Sequence, residues 1–306
     1  METNTADYAI EAEGIGRSFA GTQALKDFTL RVPRGCIYGF LGRNGAGKTT
    51  AIKILAGLIK PDAGTVRVLG VNPFELSAED RQRLGYLSEK QILPVNMKVG
   101  KLMAFCSRFY PKWDHELTRR LAESFRIDPK KKISALSQGG QRQVAFILAL
   151  AQRPELLILD EPASTLDVVA RREFLDEILD LLRQGGERQG GAGSGPTVFI
   201  SSHILSDIER VADQIGILAE GTLKVSEPLD TLKETIKRVR FHSFARDPGP
   251  VSIPGAFRTV RSGSEILATL RLADGETPAR LAQRLGAEYE IEDLNLEEIF
   301  VELSRS

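Results

Sequence analysis

The chain has 306 residues, of which 42% are hydrophobic and 27% are charged, as in an ordinary soluble globular protein. Lysine plus arginine equals aspartate plus glutamate at 41 each, so the sequence lacks the basic excess of a general nucleic-acid binder. No stretch approaches the roughly 20 apolar residues that span a bilayer, and the N-terminus lacks the pattern of a signal peptide. We therefore expect a cytoplasmic protein with no nucleic-acid partner.

The first part of the chain predicts strands followed by a helix. Residues 8–41 alternate like strands and turns and close on the apolar run CIYGFLG. The segment GKTTAIKILAGLI follows with helical periodicity and is predicted to stop before Lys60 and Pro61. A turn, PDAG, and a strand, TVRVLG, come next.

The middle of the chain alternates between helices and strands. Residues from about 77 to 135 are predicted to be mostly helical. QVAFILALAQR predicts an apolar helix that ends at Pro154, LLILD a buried strand, and VVARREFLDEILDLLRQ an amphipathic helix. Residues 185–197, GGERQGGAGSGPT, predict a flexible surface loop. This alternation predicts an α/β domain with a largely parallel sheet.

The sequence pattern changes after about Pro228. Before it, TVFISSH predicts a strand and QIGILAEGTLKV a hairpin. After it, RVRFHSFA, ILATLRLADG and EYEIEDL suggest strands, while TPARLAQRLG and LNLEEIFVELS suggest helices. We therefore predict a main domain over residues 1–228 and a small α+β domain over residues 229–306, close to the smallest size at which a core can stand alone.

Residues 42–49, GRNGAGKT, fit the pattern G-x-x-x-x-G-K-[ST] of a phosphate-binding loop. Glycines let the backbone wrap closely around a triphosphate, and the following helix adds its positive N-terminal end. Lys48 supplies a charge for the β- and γ-phosphates, and the Thr49 hydroxyl supplies a ligand for Mg²⁺. The predicted nucleotide-binding residues here are Gly42, Asn44, Gly45, Gly47, Lys48, Thr49 and Thr50.

A second acidic site is predicted where the strand LLILD ends. Ligands of open α/β sheets bind at the carboxyl ends of the strands, and Asp160 lies at such an end. We assign Asp160 to the Mg²⁺ shell and Glu161 to polarising the attacking water. Two adjacent acids in a turn are usually only solvated charges, but here they follow an apolar strand in a chain with a phosphate loop.

Together these motifs resemble the nucleotide-binding subunit of an ABC transporter over roughly residues 8–225. GRNGAGKTT resembles the Walker A motif, LSQGG the signature motif, LLILDEP the Walker B motif, STLD the D-loop and SSH the switch region, in the family's order. The resemblance implies the P-loop NTPase fold of the ABC ATPases, with a mixed sheet and a helical subdomain at about 77–135. It also implies ATP and Mg²⁺ as cofactors.

The resemblance assigns roles to further residues. Ser137 and Gly139, interpreted as lying just before the helix QVAFILAL, would clamp the γ-phosphate of an ATP held by a second subunit, with the D-loop residue Asp167 nearby. His203 would contact the γ-phosphate and help to orient water and Glu161. Two such chains would pack head to tail, as a homodimer or a heterodimer, with ATP between them.

Three assignments have rivals. The signature can be aligned on GGQ instead of placing Ser137 at the serine; we prefer Ser137, because it keeps the downstream RPELLILDEP in step. We assign the Q-loop position, a further contact for Mg²⁺ or its water, to Glu89, with Gln91 as the alternative. We assign the adenine-stacking aromatic to Phe19, and interpret Tyr8 as ordinary strand packing.

The sequence thus predicts an ATP-hydrolysing subunit that drives a separate transmembrane permease and lies peripherally on the inner face of the cell membrane. The single cassette, the Glu at the Q-loop and the ending LNLEEIFVELS resemble export subunits. Among the aromatics at 105–113, most are interpreted as core of the helical subdomain, with one or two exposed where the resemblance places a coupling helix of the permease. The alternatives are a soluble ABC ATPase that acts on ribosomes or DNA, and a nucleotide-sensing regulator.

Overall fold

The computed structural model describes residues 8–189, 195–245, 249, 251, 253–272 and 277–304. The chain forms two compact units, Met1–Leu223 and Lys224–Ser306. This division falls shortly before the boundary predicted at residue 228. Over the described ranges, no helix combines the length and the apolar character that a membrane crossing requires.

A six-stranded sheet forms the centre of the first unit, and its last strand begins in this unit and ends at Pro228, past the unit's last residue. Its strands run in the spatial order β5-β6-β7-β3-β8-β9, and β5, β6, β7, β3 and β8 pair in parallel. A two-residue turn with positive φ, Glu220–Gly221, connects β8 to β9, so these two strands are antiparallel and the sheet is mixed. The strand bounds are β3 Ile37–Gly42, β5 Leu84–Leu87, β6 Leu156–Asp160, β7 Thr197–Ser201, β8 Gln214–Ala219 and β9 Thr222–Pro228.

An antiparallel sheet of three strands lies in the same unit, in the order β2-β1-β4. Its strands are β1 Tyr8–Phe19, β2 Thr22–Pro33 and β4 Ala63–Val68. Ile10, Phe28, Phe40, Ile52 and Phe199 belong to one buried core cluster. Because these residues come from both sheets and from the helix after β3, the core holds that helix firmly under the phosphate-binding loop.

Seven α-helices complete the described part of this unit. They are α1 Lys48–Leu55, α2 Ala78–Gln82, α3 Val99–Cys106, α4 His115–Ser124, α5 Gln138–Ala151, α6 Val168–Gln189 and α7 Leu205–Val211. Single 3₁₀ turns lie at Ser107–Phe109 and Ile133–Ala135. The region at 77–135 is indeed mostly helical, but β5 lies inside it and pairs with β6 in the central sheet.

The helix α1 ends earlier than the apolar pattern predicts. Gly57 adopts a left-handed φ of 71°, its N–H bonds the carbonyl of Ile54 at 3.0 Å, and the N–H of Leu58 bonds that of Lys53 at 2.8 Å. These two bonds are those of a Schellman motif, which closes a helix at a glycine. The apolar residues after Gly57 therefore belong to the turn and not to the helix.

Two other helices differ from their predicted bounds. The helix α5 begins at Gln138, so Gly139 lies in its first turn and not before it. The helix α6 continues to Gln189, so the loop predicted from residue 185 begins later than expected. Residues 190–194 of that predicted loop lie outside the described residues.

The second unit contains an antiparallel four-stranded sheet, in the order β11-β12-β10-β13. The strands are β10 Ile236–His242, β11 Ala256–Ser262, β12 Glu265–Arg271 and β13 Glu288–Asp293, and the helices are α8 Leu229–Thr235, α9 Pro278–Leu285 and α10 Leu296–Leu303. Val239, Phe241, Ile266 and Leu281 lie in its own buried core. The sequence predicts this α+β composition but not β11 or α8.

Candidate functional site: a phosphate-binding loop beside two acidic strand ends

The loop between β3 and α1 has the backbone geometry that its glycines allow. Gly45 and Gly47 adopt positive φ angles of 82° and 107°, where other residues are strained. A Cβ at Gly47 would lie 2.4 Å from the carbonyl oxygen of Ala24, so any side chain there would collide with the backbone. Both the φ angle and the space therefore require glycine at this position.

Lys48, the first residue of α1, is buried at 7% exposure. Its Nζ donates to the carbonyl oxygen of Gly42 at 2.6 Å, which folds the side chain back over the loop. Burial lowers the pKa of Lys48, while the carboxylates of Glu161, Asp160 and Glu89 oppose that shift. The ammonium group is thus a partly desolvated cation held at the centre of the loop, as phosphate binding requires.

The acidic pair lies where β6 ends. Asp160 is 2% exposed, and its Oδ1 accepts a hydrogen bond from Ser201 Oγ at 2.8 Å. The same hydroxyl accepts the N–H of Glu161 at 3.0 Å, so Ser201 at the end of β7 fixes both acids. Burial raises the pKa of Asp160; Ser201 and Arg142 oppose the shift, whereas Glu89 and Glu161 add to it.

Glu161 has a left-handed backbone with φ of 48°. For a residue with a side chain this conformation costs about 1–3 kcal/mol and persists only where neighbouring contacts impose it. Its Oε2 lies 2.6 Å from His203 Nδ1 and accepts the His203 N–H at 3.2 Å. The strained turn therefore directs the Glu161 carboxylate at His203, the residue that the sequence analysis pairs with it.

Lys48, Glu161 and His203 line a cavity of about 470 Å³ at the carboxyl ends of the strands, whereas the predicted Mg²⁺ ligand Asp160 is not among the described residues that line it. The cavity is lined by Ala24, Arg43, Asn44, Gly45, Gly47, Lys48, Thr49, Thr50, Glu89, Glu161, Ser164 and His203. Of the predicted nucleotide-loop residues, Gly42 alone does not line it, and its carbonyl holds Lys48 instead. The two predicted motifs, 114 residues apart along the chain from Gly47 to Glu161, thus meet at one site.

Glu89 lines this cavity, whereas Gln91 does not. The Gln91 Oε1 instead accepts a hydrogen bond from Ser88 Oγ at 3.3 Å. The Thr49 hydroxyl and the carboxylates of Glu89 and Asp160 are hard oxygen donors of the kind that Mg²⁺ prefers. Among the described ranges, no group of three or more His, Cys, Asp and Glu side chains is placed so that it could hold a metal ion by itself.

Ser137 and Gly139 are absent from this lining in the part of the chain that the structure describes. Ser137 is the N-cap of α5, and its Oγ accepts the N–H of Gly140 at 3.1 Å. A Cβ at Gly139 would lie 3.2 Å from the carbonyl oxygen of Thr165, so the start of α5 packs closely on the D-loop. Asp167 caps α6 by accepting the N–H groups of Val169 and Ala170.

Phe19, the predicted adenine-stacking residue, is 41% exposed at the end of β1. The guanidinium of Arg17 lies 4.7 Å from its ring centroid. Phe19 is not among the described residues that line the cavity, although Ala24 from the neighbouring strand is. Tyr8 begins β1 opposite Pro33, with the guanidinium of Arg31 6.0 Å from its ring.

Sequence reasoning missed Ser201 and Arg142. Ser201 holds Asp160 and Glu161, and Arg142 bonds the carbonyl groups of the same turn. The signal for Ser201 was the leading serine in SSH, and the signal for Arg142 was a charged residue in the polar first part of α5, two residues before its apolar run. Neither residue has a partner near it in sequence, so spacing alone does not reveal either role.

Comparison with known proteins agrees with this geometry. Residues 25–164 match the family described as ABC transporter. The chain is 33% identical over 227 residues to the bacitracin transport ATP-binding protein BcrA of Bacillus licheniformis, covering 74% of this chain and 71% of that one. It is 28% identical over 313 residues to the Nod factor export ATP-binding protein I of Burkholderia lata, covering 96% of each chain.

A solved structure shows the same fold. It is described as a dimeric, post-hydrolysis state of the ATP-binding cassette MJ0796 bound to ADP and Pi. The TM-score is 0.60 at 20% identity, covering 72% of this chain and 98% of that one. The predicted α/β fold with a mixed sheet is thereby confirmed.

Fold and site together define a nucleotide-binding cassette of the P-loop type. The chain belongs to the ABC transporter ATP-binding proteins, and it is an ATP-binding, ATP-hydrolysing subunit of such a transporter.

Proposed function

We propose that this chain hydrolyses Mg-ATP in a head-to-tail dimer and thereby drives export through a separate membrane permease. The main observation that supports this proposal is that Lys48, Glu161 and His203 converge on one cavity. Ser137 and Gly139 lie at the start of a helix outside it. A γ-phosphate clamp that does not reach its own cavity serves a nucleotide held by another subunit.

Within the cavity each residue has a distinct role. The backbone of residues 42–50 and the Lys48 ammonium bind the phosphates. Glu161 accepts a proton from the attacking water, and His203, 2.6 Å from its carboxylate, orients both groups. Phe19, which lies at the end of β1 and outside the cavity lining, stacks on the adenine.

The donors Thr49, Asp160 and Glu89 would hold Mg²⁺. The observation that supports this is the acidic charge gathered around the buried Asp160: Glu89 and Glu161 both raise its pKa. A divalent cation would offset that repulsion, and when bound it neutralises charge on the β- and γ-phosphate oxygens.

The permease partner is supported by the region between α3 and α4. Trp113 is buried there, but Phe105 and Phe109 are 51% and 59% exposed, with ring centroids 5.1 Å apart. Two aromatics of this set thus face solvent, in keeping with the one or two expected to be exposed. Such a pair suits the apolar side of a permease helix on the inner face of the membrane. Export is the direction named for one relative, the Nod factor export ATP-binding protein I.

One experiment tests both this proposal and the alternative, a soluble ABC ATPase that acts on ribosomes or DNA. Glu161→Gln protein is tagged, held with ATP in detergent-solubilised membranes of the source cell, and purified. We expect a polytopic membrane protein at equal stoichiometry. Recovery only with ribosomes or DNA, or with no partner at all, would contradict the transporter assignment and favour the alternative or a nucleotide-sensing role.

A further inference from the structure

Arg142 is a buried cation in the second turn of α5, at 5% exposure. Its guanidinium has five N–H bonds, and each can reach one acceptor. Nε donates to the carbonyl oxygen of Pro162 at 3.1 Å. Nη2 donates to those of Asp160 at 2.6 Å and Glu161 at 3.0 Å. Nη1 donates to those of Glu89, at 3.0 Å, and Ser88.

These five carbonyl groups belong to two separate turns of the cavity wall. We define the Glu89 turn as residues 88–89, after β5, and the Glu161 turn as residues 160–164, after β6. Each turn carries a carboxylate that lines the cavity. A single side chain from α5 therefore joins both turns to each other and to the helix that begins at Ser137.

The Glu161 turn needs such support because its backbone is strained. With φ of 48° at Glu161, the turn is stable only if its carbonyl groups are held in place. Ser164 contributes its N–H and its Oγ to the Glu161 carbonyl, at 3.3 and 3.1 Å. Arg142 adds the Glu161 bond and also the flanking bonds to Asp160 and Pro162.

The positive charge of Arg142 also supports this part of the cavity wall. Burial lowers its pKa, and the carboxylates of Asp160, Glu89 and Glu161 oppose that shift. A fixed cation behind three acids keeps their negative charges compatible in one place. An apolar side chain of similar size would leave the carbonyl groups without donors and the acids without this counter-charge.

We propose that Arg142 is a positioning residue that sets the Glu89 and Glu161 turns against α5 and so links the phosphate clamp at Ser137 to the catalytic carboxylate of the same chain. The link to a second nucleotide rests on the proposed head-to-tail dimer. The positioning itself does not, because all its contacts lie within one chain.

The first test replaces the guanidinium of Arg142 by a single ammonium group. In Arg142→Lys we expect kcat to fall about 10- to 100-fold, as for misplaced catalytic groups, with KM for ATP changed less than threefold. Amide exchange at Glu161 and Ser164 should become faster, with α5 still protected. The matched control is Arg153→Lys, which alters the ion pair with Asp114 just after α5 and should leave kcat unchanged.

The second test restores the missing group. Arg142→Ala opens a buried space of the shape of guanidinium, so millimolar guanidinium, far below the molar concentrations that unfold proteins, should recover part of kcat. Methylammonium should not. Wild-type kcat in Arg142→Lys, or equal losses of kcat in the Arg142 and Arg153 variants with exchange faster throughout α5, would overturn the proposal. A wild type that hydrolyses no ATP would instead contradict the proposed function, and the exchange readout would still decide the role of Arg142.

Discussion

Asp160 carries its negative charge almost out of water, at 2% exposure, at the end of β6. Burial raises its pKa, and the neighbouring carboxylates of Glu89 and Glu161 act in the same direction. The folded chain without nucleotide therefore holds a proton on Asp160 at pH values where the unfolded chain has lost it. Stability falls as pH rises through that window, because the unfolded state then binds fewer protons than the folded state.

Replacing Asp160 by Asn removes this cost. Without nucleotide, we expect the free energy of unfolding of wild type to fall relative to that of Asp160→Asn as pH rises above about 4, the ordinary range of aspartate. Below that pH the two proteins should converge. Urea unfolding from about pH 3 to 7 measures the difference, with Asp230→Asn at an exposed position as the control. A constant difference between wild type and Asp160→Asn at all pH values would contradict this expectation.

At the residue scale, the sequence reveals those site groups that are close together along the chain. The glycines, Lys48 and Thr49 lie within one loop, so their spacing alone predicts how they face a phosphate. Arg142 is 54 residues from Ser88 and 18 from Asp160, and its role depends on how α5 packs. The strained backbone of Glu161 likewise arises from the turn's tertiary contacts, which no local pattern reports.

The role proposed for the start of α5 can be tested directly by mutation. Ser137 caps the helix and is also the proposed contact for the partner's γ-phosphate. We expect Ser137→Arg to lower ATPase activity by about 100-fold or more, as when a transition-state donor is lost. ATP affinity should change little, because Ser137 does not line its own chain's cavity. Loss of the cap should cost about 1 kcal/mol of stability.

Turnover assays and equilibrium binding of a fluorescent ATP analogue distinguish these effects. Ser134→Arg, an exposed position one helical turn earlier, introduces the same charge and size and serves as the control. Normal turnover in Ser137→Arg would show that this residue does not face a phosphate. It would also return the signature to the alternative alignment on GGQ.

At the element scale, apolar periodicity locates most strands and helices but not all their ends. The helix α1 ends at Leu55 because the left-handed Gly57 closes it, although apolar residues continue to Ile59. The strand β11, AFRTVRS, is missed because it mixes charged and apolar residues and is nowhere buried. Its place is set by pairing with β12, a contact that lies outside its own sequence.

For the whole molecule, the proposed dimer makes a prediction about mass. Glu161→Gln should bind ATP without consuming it, since the base for water is gone. We expect light scattering to give twice the 33.6 kDa of one chain in ATP and a single chain in ADP. The double variant with Ser137→Arg should remain a single chain in ATP, because the added side chain fills the clamp. A single-chain mass for Glu161→Gln in saturating ATP would contradict pairing between two copies.

The capped start of α5 bears on the kinetics of such a pair. Ser137 Oγ accepts the Gly140 N–H with one lone pair, so its own proton stays available to a phosphate oxygen. The helix is thus formed before the second chain arrives, and no segment needs to fold during the encounter. Association would then run at the orientation-limited rate of about 10⁵–10⁷ M⁻¹s⁻¹. Cleavage of the γ-phosphate would instead raise the dissociation rate and so shorten the lifetime of the dimer.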